Sequence, residues 1–89
     1  MMRIEFDPDK SARNAQARAL PFELVADLDW SSALVTEDTR KPYPERRFVA
    51  LALLADRLHV VCFTPVPGGI RVISFRKANA REVHRHAHT

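Results

Sequence analysis

The chain has 89 residues, 46% of them hydrophobic, which suits one small domain with a modest core and excludes a second folded unit of ordinary size. No apolar run approaches the ~18 residues a membrane helix needs, the start MMRIEFDPDK lacks the apolar centre of a signal peptide, and a single cysteine, Cys62, excludes a disulfide framework, so a reduced, cytoplasmic protein without membrane contact is expected. The net charge of +3 is uneven: residues 71–89 carry five cations against Glu82 alone, while residues 1–70 carry nine cations against ten acids, which makes a polyanion or an acidic chain a plausible partner and a merely solvated basic tail the plain alternative.

In chain order, Met2-Arg3-Ile4-Glu5-Phe6 alternates apolar and polar residues and predicts a short strand with Met2, Ile4 and Phe6 inward. Asp7-Pro8 supplies an N-cap followed by proline at the first helical position, so a helix is expected from Pro8 to about Arg18, with Ala12, Ala15 and Ala19 as a small packing face. Leu20-Pro21 interrupts it, and a second helix is expected from Pro21 to about Trp30, carrying Phe22, Val25 and Ala26, with Leu28 or Asp29, on one side. The character then changes to strands at Ala33–Thr36, Arg47–Leu54, Arg57–Thr64 and Ile70–Lys77, with the polar loop EDTRKPYPER after the first of them. Ala55-Asp56 and Pro65–Gly69 have hairpin length, so the last three strands should be antiparallel neighbours. RFVALALL and RLHVVCF are apolar on both faces, which predicts helices over one side and other cover, such as a partner, over the second. NAREVHRH predicts a closing helix from about Asn79 to His86. The order β-α-α-β-β-β-β-α describes a compact α+β domain over residues 1–89, with a four-stranded antiparallel meander and a C-terminal helix.

Three basic sites carry candidate chemistry. In RVISFRKA, alternation puts Arg71, Ile73, Phe75 and Lys77 on one face and Val72, Ser74 and Arg76 on the other, so the cations either grip a phosphate or snorkel from the core to water. Strict alternation separates Arg76 from Arg71 and Lys77. Either a bulge or twist reunites them, or only part of the trio faces a common ligand. Glu45-Arg46-Arg47 stands at the start of the strand RFVALALL, beside Arg40, Lys41 and Tyr43 of the preceding loop, where Glu45 and Arg47, two apart, share a face, and a cation beside a carboxylate keeps it ionised as a proton acceptor; an exposed ion pair of small worth is the simpler account. Lys10, Asn14 and Arg18 fall at i, i+4 and i+8 and line one side of the first helix, a pattern shared by ordinary solvated faces. His84 and His88 have a zinc-compatible spacing, but no cysteine or carboxylate completes a metal site, and no cofactor motif is present.

Three blocks, IEFDPDKSARNA with PFE, ERRFVALALL and RVISFRKANAREV, together resemble the BrnT family of type II toxin–antitoxin systems, within the RelE-like group of toxic ribonucleases. The family patterns FDPxKxxxN, ExRF and RIISARKAxxxE occur here in the same order over nearly the whole chain. The resemblance implies a RelE-like β-α-α-meander-α domain and metal-independent endoribonuclease activity. It further implies neutralisation by a BrnA-like ribbon-helix-helix antitoxin encoded downstream, and promoter DNA binding only through that complex. Carried over by position, it points to Lys10 and Asn14 on the first helix, Glu45 and Arg47 in the central block, and Arg71, Arg76 and Lys77 in the last. The catalytic candidates are therefore Glu45, Arg47, Arg71, Arg76 and Lys77, and Lys10, Asn14, Arg18 and Arg81 are expected to bind RNA. Where the family commonly has Lys-His-Gly-Val after the first helix, this chain has Ala17-Arg18-Ala19-Leu20, and a guanidinium cannot replace the proton chemistry of histidine. The expected function is therefore an RNase toxin in which arginines hold the phosphate and Glu45 assists attack. The rival expectation is a degenerate toxin fold that binds its antitoxin or nucleic acid without cleaving. A DNA-binding protein in its own right is a weaker option, because the basic residues end a strand rather than line a recognition helix.

Overall fold

The computed structural model describes residues 2–89. Its elements are β1 (Arg3–Glu5), α1 (Pro8–Arg18), a 3₁₀ helix (Phe22–Asp27), β2 (Asp29–Asp38), β3 (Arg47–Leu54), β4 (Arg57–Val66), β5 (Gly69–Lys77) and α2 (Ala80–Ala87). The strands form one five-stranded sheet in the order β1-β5-β4-β3-β2, in an α+β architecture. Chain neighbours from β2 to β5 pair antiparallel, while β1 adds to the outer edge of β5 in parallel, a placement that the alternation of residues 2–6 does not specify. The parallel pair is close: a Cβ at Gly69 would lie 1.9 Å from the Arg3 carbonyl oxygen, so a side chain there would push β1 away.

The Asp7 carboxylate accepts from the Asp9 N–H at 2.9 Å and Pro8 opens the first turn, which fixes the start of α1 as expected. Its packing face differs from the expected alanine stripe. Ala12 and Ala19 are exposed, and Ser11 is the buried position, flanked by partly buried Lys10, Asn14 and Ala15. The Ser11 hydroxyl donates to Glu23 at 3.0 Å and accepts from the Phe22 N–H at 2.8 Å, so a polar residue ties α1 to the next element. Ala19 then adopts φ 58°, ending the helix in a left-handed cap.

The second helix is shorter and tighter than expected. Phe22, Val25 and Leu28 are all buried, a spacing of three that matches 3₁₀ turns, whereas Ala26 is exposed and Trp30 already belongs to β2. β2 is longer than the expected Ala33–Thr36 because its irregular part, between the Asp29 and Leu34 pairings, lacks the alternation by which a strand is recognised. β3 has the expected limits, and β4 and β5 extend the expected strands slightly.

The sheet separates two apolar clusters. Under α1 and the 3₁₀ helix lie Phe22, Val25, Ala50, Ala52, Val61, Val72 and Phe75, with Met2, Ile4 and Phe6 packed against them. The opposite face holds a smaller cluster of Leu51, Leu58, Val60 and Ala78. It is there that α2 folds back. Glu82 reaches Arg76 on β5, and the His86 Nε2–H donates to the Ser32 carbonyl on β2 at 3.1 Å, so α2 crosses this face from β5 to β2. The cover expected over the second face is thus supplied in part by the chain itself.

Candidate nucleic-acid interface

β5 carries an extra residue. Cys62 pairs with Ser74 but Phe63 pairs with Val72, leaving Ile73 without an opposite number. This bulge resets the alternation. Val72 and Phe75 both point into the core under α1, while Arg71, Ser74 and Arg76 share the opposite face. The residues of that face line up across the sheet in rows. One row is Leu34–Leu51–Val60–Arg76, and the next is Thr36–Val49–Cys62–Ser74. In the third, Asp38 pairs with Arg47 and Thr64 with Arg71. The face therefore grades from apolar near α2 to charged at the far end.

A cleft of about 460 Å³ lies over the first two rows and reaches Asp38 of the third, with Val49, Val60, Cys62 and Ser74 as its floor, Asp38 and Arg40 at one end, and Arg76, Glu82 and Arg85 at the other; Arg47 and Arg71 lie outside its lining. Its electrostatics come from paired charges. Arg40 meets Asp38 through two bonds of 2.9 Å, and the Tyr43 hydroxyl donates to the same carboxylate at 3.0 Å, so Asp38 is held well below the usual carboxylate range. Arg76 meets Glu82 through bonds of 2.9 and 2.8 Å, which lower the Glu82 carboxyl to about 2. Glu82 is in turn fixed by a capping box with Asn79 at the start of α2. Burial pushes the Cys62 thiol up, which makes the residue a poor nucleophile despite its place in the floor.

The candidate residues separate into groups. Glu45 lies in the loop before β3 rather than on the strand, with its carboxylate 3.9 Å from the Arg47 guanidinium, which is stacked 4.2 Å over the Tyr43 ring. Arg47 and Arg71 both belong to the charged row. Arg76 stands two rows away beside α2, and Arg81 is exposed on α2 itself. Lys77 pairs with His59 on the α1 side of the sheet and borders a hollow with Arg18 and Leu20. Lys10, Asn14 and Arg18 lie beside the stretch of β5 that β1 leaves unpaired. There the Asn14 amide donates to the Leu20 and Phe75 carbonyls at 2.7 and 2.9 Å, and Arg18 reaches the Phe75 carbonyl at 3.4 Å. Asn14 thus secures the α1–β5 junction, which its helical spacing does not reveal.

His59 is 3% exposed, donates from Nδ1 to the Arg57 carbonyl at 2.9 Å and has its pKa lowered by burial, so it does not open into the cleft. His84 and His88 stack with ring centroids 4.2 Å apart, and among the described residues no group of three or more metal-ligating side chains is assembled. Sequence reasoning missed Asp38, Glu82 and Arg85 as cleft residues. The spacing Asn79-x-x-Glu82 signals only a helix start, and nothing in it announces that the same carboxylate reaches back to Arg76.

Comparison with curated proteins and with solved structures gave no match. The family model described as "Ribonuclease toxin, BrnT, of type II toxin-antitoxin system" matches residues 6–82, a span that contains β2 to β5, the cleft floor and Glu82 but not β1. Its length and position leave one assignment: the chain belongs to the BrnT family of ribonuclease toxins of type II toxin–antitoxin systems, which implies an antitoxin partner.

Proposed function

We propose that the protein is a metal-independent endoribonuclease that binds single-stranded RNA along the cleft, acts in the cytoplasm and is neutralised by a BrnA-like ribbon-helix-helix antitoxin, the pair binding promoter DNA together. The observation that carries this reading is the Ile73 bulge, because it sets Arg71 and Arg76 on one face of the sheet, the same face as Arg47. Arginines offer forked donors to phosphate oxygens, and fixed positive charge stabilises the negative charge that develops in phosphoryl transfer. Glu45, beside Arg47, takes the proton of a ribose 2′-hydroxyl. The 2′-oxygen then attacks phosphorus, the bond to the 5′-oxygen breaks, and that oxygen takes a proton from water, leaving a 2′,3′-cyclic phosphate. Lys77, Lys10 and Arg18, at the β5 edge, serve as a flanking cationic rim rather than as members of the centre. The overall fold is read as RelE-like on the strength of the sequence resemblance.

The test is incubation of the purified chain with a fluorogenic single-stranded RNA, with and without EDTA. Cleavage that survives chelation and falls on replacing Arg71 supports the reading. Absent or chelator-sensitive cleavage overturns it.

A further inference from the structure

Glu82 takes no part in the reaction just described, yet its carboxylate is tightly constrained. Oε1 accepts from the Asn79 N–H and from Arg76 Nη1, both at 2.9 Å, and Oε2 accepts from Arg76 Nη2 at 2.8 Å. The Glu82 N–H donates back to Asn79 Oδ1 at 2.9 Å. Nη1 of Arg76 also donates to the Lys77 carbonyl at 3.2 Å. A guanidinium has five N–H donors. The end of this one is therefore engaged, while its side edge, made of Nε–H and the second Nη2–H, has no partner among the described residues. Those two parallel donors match two oxygens of a phosphate. Arg76 is also 41% exposed through its side chain and lines the cleft.

We propose that Glu82 is a positioning residue: by gripping the end of the Arg76 guanidinium through both carboxylate oxygens, it holds the side edge, Nε–H and Nη2–H, against the phosphate of RNA bound in the cleft. This rests on the proposed function, in which Arg76 contacts RNA. An unpaired arginine keeps its charge but samples many rotamers, and the lost orientation falls on the rate rather than on binding. Glu82 acts across six residues of sequence, from the first turn of α2 to the end of β5, so the helix cap and the arginine share one carboxylate.

The experiment compares the parent with Glu82→Gln, Asn79→Ala and Arg76→Ala. It measures the single-turnover cleavage of a fluorogenic RNA and the affinity for the 2′-deoxy oligonucleotide of the same sequence, which cannot be cut. Glutamine at this position still accepts the capping bond, so α2 is retained, as circular dichroism would verify. Glu82→Gln should slow cleavage about 10- to 100-fold while changing oligonucleotide affinity less than about threefold, since a backbone phosphate held loosely two rows away misaligns the scissile bond at Glu45 and Arg47 and costs rate. Asn79→Ala, which weakens the cap but leaves the ion pair, should stay within about threefold of the parent rate. Parent-like cleavage by Glu82→Gln, or an equal loss in Asn79→Ala, overturns the inference. If Arg76→Ala also cleaves like the parent, the use of Arg76 in the proposed function fails as well; if Arg76→Ala is impaired and Glu82→Gln is not, only the role of Glu82 fails. A parent that cleaves no RNA overturns both.

Discussion

The same four antiparallel-paired strands present two different surfaces. Beneath α1 and the 3₁₀ helix, Val25, Ala50, Ala52, Val61 and Phe75 are fully shielded from solvent, and the polar side chains that intrude, Ser11, Asn14 and His59, each make at least one bond to backbone. The opposite face grades from Leu51 and Val60 through Cys62 and Ser74 to Arg47 and Arg71, and its cover is a helix with no buried residue of its own. One sheet thus divides its labour by face. The first holds the chain together, and the second leaves charge within reach of a ligand.

That division can be broken from either side. Phe75→Ala on the core face should cost about 3–5 kcal/mol of stability, measured by denaturant unfolding, because it opens a cavity where no solvent reaches. Replacing Arg71 and Arg76 together by alanine should lower RNA cleavage at least ~100-fold, worth about 2.7 kcal/mol at the transition state, and should cost much less stability than Phe75→Ala, because Arg71 is exposed and Arg76 gives up chiefly its part-exposed ion pair with Glu82. Equal losses of stability and activity in both variants would erase the distinction between the faces. Asn14→Ala sharpens it further. The amide satisfies the Leu20 and Phe75 carbonyls, so its removal should destabilise by about 1–2 kcal/mol and leave cleavage by the folded fraction near the parent value.

The smallest effect is acid detachment of α2. The Glu82 carboxyl is lowered to about 2 from an ordinary 4.5, so its contribution is fully present above pH 4.5 and is lost as pH falls toward 2. Amide resonances of residues 80–87 followed by NMR should move in that window before the core unfolds, and should not do so in Glu82→Gln. Coincident loss of α2 and core signals would mean that the second face is bound as firmly as the first.

Much of the framework was legible because it depends on local rules. Asp7-Pro8 set the start of α1, and β3 is bounded by the changes in composition at Arg47 and Leu54. What escaped depends on tertiary partners. Phe22, Val25 and Leu28 fit a helical repeat poorly and a three-residue turn well, but only the core they enter decides between them. The candidate cations were all identifiable by residue type. Their grouping was not, because the faces of β5 depend on a bulge that is defined by the pairing of β4, and because Lys77 follows Arg76 in sequence while facing the other side of the sheet. Glu82 was visible as a helix cap, and its second bond depends on where α2 comes to rest.

Within a strand, losing one residue ordinarily turns every later side chain to the wrong face, which is why insertions and deletions in natural families collect in loops. β5 is an exception at one point. Ile73 is surplus to the pairing with β4, so a chain shortened there by one residue would return to plain alternation with Val72 and Phe75 still inward and Arg71, Ser74 and Arg76 still together. Related chains are therefore free to differ in length by one between the first and last arginines of this strand without exchanging its two surfaces, and an alignment gap at that point would mark conserved geometry rather than a broken strand.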